Sequence, residues 1–202
     1  KLIPEFFSLK VFNKFYKNMK AKVITSFAMF YDLNDPLTFI REIKEILCRD
    51  GIWVFEQSYM PQMLESNSYD TVCHEHKEYY SLNQIKWMID FVGLKIIDVE
   101  LNNINGGSFS VTVSHLDSNY NVNPIIDKIL NDEKKKFLHT LDPYLEFAGR
   151  VKQLKLDFIN FIKKAKMQNK SIGALGASTK GNVILQYCGI TNDDIDFVGE
   201  VN

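Results

Sequence analysis

The sequence predicts an α/β fold: a largely parallel sheet finished by an antiparallel hairpin, followed by helices and a second, partial α/β unit. Three observations carry this expectation. A buried-type strand, an amphipathic helix and another strand succeed one another between Lys22 and Glu56, the pattern of a parallel crossover. Two alternating segments, residues 94–101 and 108–114, flank a turn rich in Asn and Gly, the pattern of an antiparallel pair. A third run, residues 171–201, reads strand, glycine-containing loop, helix, strand.

In chain order, residues 2–8 form a short apolar run that reads as a strand interrupted by Pro4, and residues 12–19 read as a helix with Lys14 and Lys17 outward. Residues 22–31 are strand-like. Asp35 followed by Pro36 is a helix start, since Pro suits the first helical position and Asp caps it. Leu37, Ile40, Ile43 and Leu47 recur at helical spacing until Asp50-Gly51 ends the run, and Ile52 to Glu56 is the next strand. In open parallel sheets ligands bind outside the carboxyl ends of the strands. Those ends are here Thr25, Ser26 and Phe27, and Glu56 to Tyr59. Ser81 caps a helix that places Ile85, Met88 and Ile89 inward, and Gly93 closes it. Residues 117–124 are polar and turn-like and form the domain boundary. Helices over 125–141 and 143–167 follow.

Composition narrows the function classes. The chain has 202 residues, 46% of them hydrophobic, which allows a sizeable core. Lys and Arg number 24 against 25 Asp and Glu, a formal net charge of -1, which argues against nucleic acid as the main partner. No apolar run approaches the ~20 residues that span a bilayer, and no signal-peptide pattern is present. Cys48, Cys73 and Cys188 lie far apart and suggest neither a disulfide framework nor a Cys-x-x-Cys site, so a cytoplasmic setting is expected. The run begins at Lys1 inside what reads as a domain and stops as a strand ends, so both ends are expected to be cut.

The densest chemistry lies in Tyr69-Asp-Thr-Val-Cys-His-Glu-His-Lys-Glu-Tyr-Tyr-Ser81, which holds two of the chain's four histidines. His74 and His76 could chelate a metal, although the His-Glu-x-x-His helix pattern is missing. Either could serve as a general base, because an imidazole titrates near neutral pH and Glu75 or Glu78 could orient it. The plain alternative is a polar surface loop. Asn102-Asn-Ile-Asn-Gly-Gly107 is a turn by chemistry, since Gly supplies positive φ, and its backbone could approach a substrate. Gly176-Ala-Ser-Thr-Lys-Gly-Asn182 sits between strand and helix, where free N–H groups attract an anion, but it matches neither a Walker A loop nor Gly-x-Gly-x-x-Gly.

The order of these segments resembles a known family. Ile24-Thr-Ser-Phe-Ala-Met-Phe-Tyr-Asp-Leu33, Phe55-Glu-Gln-Ser-Tyr-Met60, Tyr69-Asp-Thr-Val-Cys-His-Glu-His76, Asn105-Gly-Gly-Ser-Phe109 and Gly176-Ala-Ser-Thr-Lys-Gly-Asn182 together are similar to the sugar C-methyltransferases, over nearly the whole chain. The resemblance implies a Rossmann-like methyltransferase sheet in residues 1–118. It implies that residues 119–202 form a helical connection and the first half of a C-terminal α/β substrate-binding domain. It implies S-adenosylmethionine as cofactor, with Thr25, Ser26 and Phe27 as remaining contacts, and a nucleotide-linked keto deoxysugar as substrate. His76 is then the general base that forms an enolate beside the keto group, Glu75 its acidic neighbour and His74 a supporting group. Tyr59, Asn105, Gly106, Gly107, Ser178, Thr179, Lys180 and Asn182 are the expected substrate contacts. Zinc is expected only in an N-terminal domain outside this chain, together with the glycine-rich cofactor loop, so the fragment alone is expected to be inactive. No nucleic acid or membrane partner is expected. Phe30 and Cys73 stand near positions where relatives carry a histidine and a tyrosine. The alternatives are a non-catalytic nucleotide-sugar binding module, a methyltransferase for another small acceptor, and a metal-dependent hydrolase using His74 and His76.

Overall fold

The computed structural model describes residues 2–17, 19–176 and 178–200. The chain divides into two compact units, one of residues 1–62 and 77–136, the other of residues 63–76 and 137–202.

The first unit is built on a four-stranded sheet of order β1-β2-β4-β3, with β1 at Ala21–Phe27, β2 at Leu47–Ser58, β3 at Leu94–Asn102 and β4 at Ser108–His115. β1 and β2 are parallel and joined by helix α2 (Pro36–Ile46), as the crossover pattern predicts. The hairpin β3–β4 is antiparallel, and its second strand inserts beside β2. Asp35 caps α2 by accepting the Thr38 N–H at 3.0 Å. Gly93, at φ 79°, closes α4 (Leu82–Val92) in the left-handed conformation that glycine adopts without cost.

One face of the sheet is packed. Trp53, Phe55, Phe109, Val111 and Val113 meet Phe39, Ile40 and Ile43 of α2, Ile85 and Ile89 of α4, and Ile126 and Ile129 of α5 (Ile125–Lys135). Each such side chain contributes about 1.5–3 kcal/mol by leaving water. The other face stays open: Val23, Thr25 and Phe27 are exposed on β1, and Val54 and Thr112 are half-buried. This alternation follows from the period-two geometry of strands.

Several boundaries differ from the sequence reading. Residues 2–8 form no strand; Ser8 instead caps α1 (Leu9–Phe15) through the Val11 N–H at 3.2 Å. Asp50-Gly51 does not end α2. The helix stops at Ile46, and β2 already starts at Leu47 and runs through a register irregularity opposite β1. Glycine is required there, because a Cβ on Gly51 would lie 2.8 Å from the Leu47 side chain and 3.0 Å from the Ala21 carbonyl oxygen. The helix expected over 125–141 ends at Lys135, where Phe137 takes φ 52° and its carbonyl accepts the Thr140 N–H at 2.9 Å.

The second unit holds α6 (Asp142–Met167), β5 (Gly173–Leu175), α7 (Thr179–Cys188) and β6 (Phe197–Gly199), with β5 and β6 parallel. It also holds residues 63–76, which follow the start of α3 (Met60–Ser66). Arg150 of α6 ties that segment down, donating to the Leu64 carbonyl and to the Asn67 amide oxygen, each at 2.7 Å. Helix α7 begins four residues earlier than its apolar run suggests, because Ser178 caps it through the Gly181 N–H at 3.2 Å. Ala177 of the expected anion loop and Val201 of the expected last strand lie outside the described residues.

Candidate active site

Within the second unit, a cavity of about 690 Å³ opens between residues 69–74, α6 and α7. Val72, Phe147, Val151 and Val183 give it apolar walls, Tyr69 and Tyr187 aromatic ones, and His74, Thr179, Asn182 and Gln186 its polar groups. Few polar groups on a largely apolar wall is the usual make-up of a small-molecule site. The Tyr69 and Tyr187 rings meet with centroids 5.3 Å apart. Burial, helped by the adjacent Cys188 thiol, pushes the Tyr69 phenol up to about 12, so it stays a neutral hydrogen-bond donor at any physiological pH.

The His-bearing segment is held by its own turns. A 3-10 turn at Tyr69–Thr71 is fixed by the buried Thr71 hydroxyl, which donates to the Ser68 carbonyl at 2.8 Å. The His76 N–H donates to the Cys73 carbonyl at 3.3 Å. His74 and Glu75 are exposed and His76 is half-buried. His74 and Cys73 line the cavity; Glu75 and His76 are not among the described residues that do. Of the expected substrate contacts, Thr179 and Asn182 share that cavity with His74, and Ser178 and Lys180 flank them at the start of α7.

The remaining candidates belong to the first unit. Thr25, Ser26 and Phe27 end β1 as expected. The Phe27 ring is 57% exposed, and the Ser26 hydroxyl accepts the Trp53 indole N–H at 3.0 Å. Asn105 and Gly106 form an exposed 3-10 turn, both at positive φ, and Gly107 follows at φ 131°. A Cβ on Gly107 would lie 2.5 Å from Gln62, so only glycine lets this turn close over the start of α3. The Gly107 carbonyl accepts the Tyr59 N–H at 3.0 Å, which brings these two candidates together. Tyr59 itself is 4% exposed, and its hydroxyl donates to Glu133 at 2.7 Å. Phe30 lies in the core, its ring 5.3 Å from Phe55.

The sequence reading missed Tyr69 and Tyr187 as paired rings and Phe147 and Val151 as walls. Their signal is ordinary helical hydrophobic spacing, which does not distinguish a cavity wall from a core. Among the described residues, no three His, Cys, Asp or Glu side chains gather to hold a metal ion, and no helix is long and apolar enough to cross a membrane.

Residues 6–99 match the family described as a methyltransferase domain. Residues 103–202 match the C-methyltransferase C-terminal domain. With its α/β sheet, the chain is similar to methyltransferases in both of these matches. More particularly, the C-terminal match is to the C-methyltransferases, and the two matches together take in nearly the whole chain. It is similar to C-methyltransferase NovU of Streptomyces niveus, 26% identical over 180 residues. That similarity takes in 89% of this chain but 43% of the relative, so the chain spans less than half the length of NovU. Among solved structures, a complex of LepI with SAM aligns with TM-score 0.41 and 12% identity, over 48% of this chain and 27% of that one. An S-adenosylmethionine-dependent methyltransferase from Clostridium acetobutylicum aligns with TM-score 0.38 and 13% identity, over 48% and 59%. The likeness to methyltransferases rests on the sequence matches.

Proposed function

We propose that this chain serves an S-adenosylmethionine-dependent C-methyltransferase acting on a nucleotide-linked keto deoxysugar. One observation carries the substrate side of this reading: His74 and the first turn of α7, with Thr179 and Asn182, line the same cavity. The segment that bears His74 and the start of α7 thus meet at one cavity, with His76 two residues along the same segment. The volume and the paired Tyr69 and Tyr187 rings suit a flat base, and the N-terminus of α7 favours the negative charge of a diphosphate.

In this reading residues 1–118 serve methyl transfer and residues 119–202 hold the nucleotide sugar. Thr25, Ser26 and Phe27 fit the cofactor at the carboxyl end of a parallel strand. The exposed Phe27 ring offers an apolar face, and the Ser26 hydroxyl, already accepting from Trp53, keeps its proton to donate. When bound, the cofactor supplies an electrophilic methyl group. His76 accepts the proton from the carbon beside the keto group, and the enolate carbon so formed would take that methyl group as the S–CH3 bond breaks, its electron pair staying on the sulfur of the departing S-adenosylhomocysteine. Glu75 is the acidic neighbour of His76 in the chain. Three cysteines without disulfides, Cys48, Cys73 and Cys188, suit a reducing cytoplasm.

The test uses the complete gene product, S-adenosylmethionine and a nucleoside-diphosphate 4-keto-6-deoxyhexose in deuterated water. The expected result is deuterium incorporation beside the keto group and methylation at that carbon, both abolished by His76→Asn. Exchange that persists unchanged in His76→Asn removes His76 from the base role.

A further inference from the structure

The chain leaves the first unit's sheet after β2 and returns to it before α4, and the excursion between carries His74, Glu75 and His76. Its two ends lie side by side. Tyr59 and Tyr80 form a parallel bridge, and the Met60 N–H donates to the Tyr80 carbonyl at 2.9 Å. Just after His76, the N–H groups of Lys77 and Glu78 both donate to the Tyr31 carbonyl, at 3.0 and 3.2 Å.

A single side chain from another element locks this junction. Glu133 of α5 is 4% exposed. Its Oε1 accepts the Tyr59 hydroxyl at 2.7 Å and the Leu82 N–H at 2.6 Å, and its Oε2 accepts the Asn83 N–H at 2.9 Å. A carboxylate this deep is costly unless its lone pairs are used, and here three donors use them. Two donors are first-turn amides of α4, where the helix dipole also favours negative charge. Capping alone does not account for the arrangement. The start of α4 already has the Ser81–Gln84 pair, with Gln84 Oε1 accepting the Ser81 N–H at 2.6 Å. The Tyr59 hydroxyl contributes nothing to the helix; it ties the outgoing strand to the same oxygen that holds the returning one.

We propose that Glu133 is a positioning residue for the catalytic segment: a buried carboxylate that fixes where the chain carrying His76 leaves the sheet and where it returns. This rests on the base role given to His76 above. A pinned exit and a pinned return restrict the excursion's path, and small displacements of a base from a reacting proton are expensive in rate. The Glu133→Gln exchange keeps the shape but replaces one acceptor oxygen with an NH₂ group facing N–H donors.

The experiment compares Glu133→Gln, Glu133→Asp, Tyr59→Phe and His76→Asn in the complete gene product. Two quantities are read: backbone amide exchange at Leu82 and Asn83, and solvent deuterium exchange into the nucleoside-diphosphate 4-keto-6-deoxyhexose. In Glu133→Gln, amide exchange is expected to rise about tenfold. Substrate exchange at saturation is expected to fall up to about a hundredfold with KM nearly unchanged. Glu133→Asp should recover part of the rate. Unchanged substrate exchange in Glu133→Gln, where His76→Asn abolishes it, overturns the positioning role. Unchanged exchange in both variants overturns the base assignment as well. Should Glu133→Gln not fold, Tyr59→Phe decides, since it deletes one hydroxyl. A lower kcat with KM unchanged supports the proposal, and a higher KM with kcat intact overturns it.

Discussion

The Trp53 indole N–H donates to the Ser26 hydroxyl at 3.0 Å, joining the buried centre of β2 to the carboxyl end of β1. Ser26 therefore has a structural duty that does not depend on any cofactor. Ser26→Ala leaves the indole of a fully buried Trp without a partner, and an orphaned buried donor costs about 1–3 kcal/mol. Urea denaturation without ligand is expected to show that loss, and Ser26→Thr, which keeps the hydroxyl, should lose less. A Ser26→Ala protein as stable as the parent would show that the indole finds another acceptor.

Gln57 poses the opposite case. It points into the packed face of the sheet on β2, opposite Phe109, and is 2% exposed. Neither its Nε2 nor its Oε1 has a hydrogen-bond partner among the described residues. Gln57→Met, of similar length and without the amide, should stabilise the protein by about 1–3 kcal/mol in urea denaturation. Destabilisation instead would mean that a bound water or ligand group satisfies the amide.

The cavity makes a prediction independent of catalysis. Ala148 lies on the α6 wall and is itself exposed. Ala148→Trp should fill much of the cavity without disturbing the helix, since Ala148 packs in no core. With uridine and thymidine diphosphates as probes, calorimetry is expected to show at least about tenfold weaker binding than in the parent. Equal binding in the two proteins would place the nucleotide elsewhere.

The elements legible in the sequence are those set by local chemistry. Asp35-Pro36 opens α2, Gly93 closes α4, and the alternation of Phe109, Val111 and Val113 marks the buried face of β4. Elements set by tertiary contact were not legible. The early start of β2 depends on a close approach of Gly51 to Leu47 and Ala21. The end of α5 depends on a left-handed Phe137, a residue with no propensity for it. The site divides the same way. His74, Thr179 and Asn182 announce themselves by residue type. The partnership of Tyr59 with Glu133 joins residues 74 positions apart, and nothing local marks either as a partner of the other.

Alkaline titration gives the last test. Tyr80 packs against Phe30, with ring centroids 5.6 Å apart, and is almost fully buried. Burial, with the Glu78 charge adding to it, pushes its phenol up to about 12, against 10.0 for a free tyrosine. Below pH 10 both folded and unfolded forms keep the proton, and the full stability is present. Between 10 and about 12 the unfolded chain releases the proton while the folded one holds it, so stability falls as pH rises. The slope approaches about 1.4 kcal/mol per pH unit for one such group. Tyr80→Phe keeps the ring contact and removes the ionisation. Its urea midpoint should therefore fall less steeply above pH 10 than the parent's, with the remaining slope carried in part by Tyr69, whose phenol is also raised to about 12. Parallel declines in the two proteins would mean that the Tyr80 hydroxyl reaches solvent.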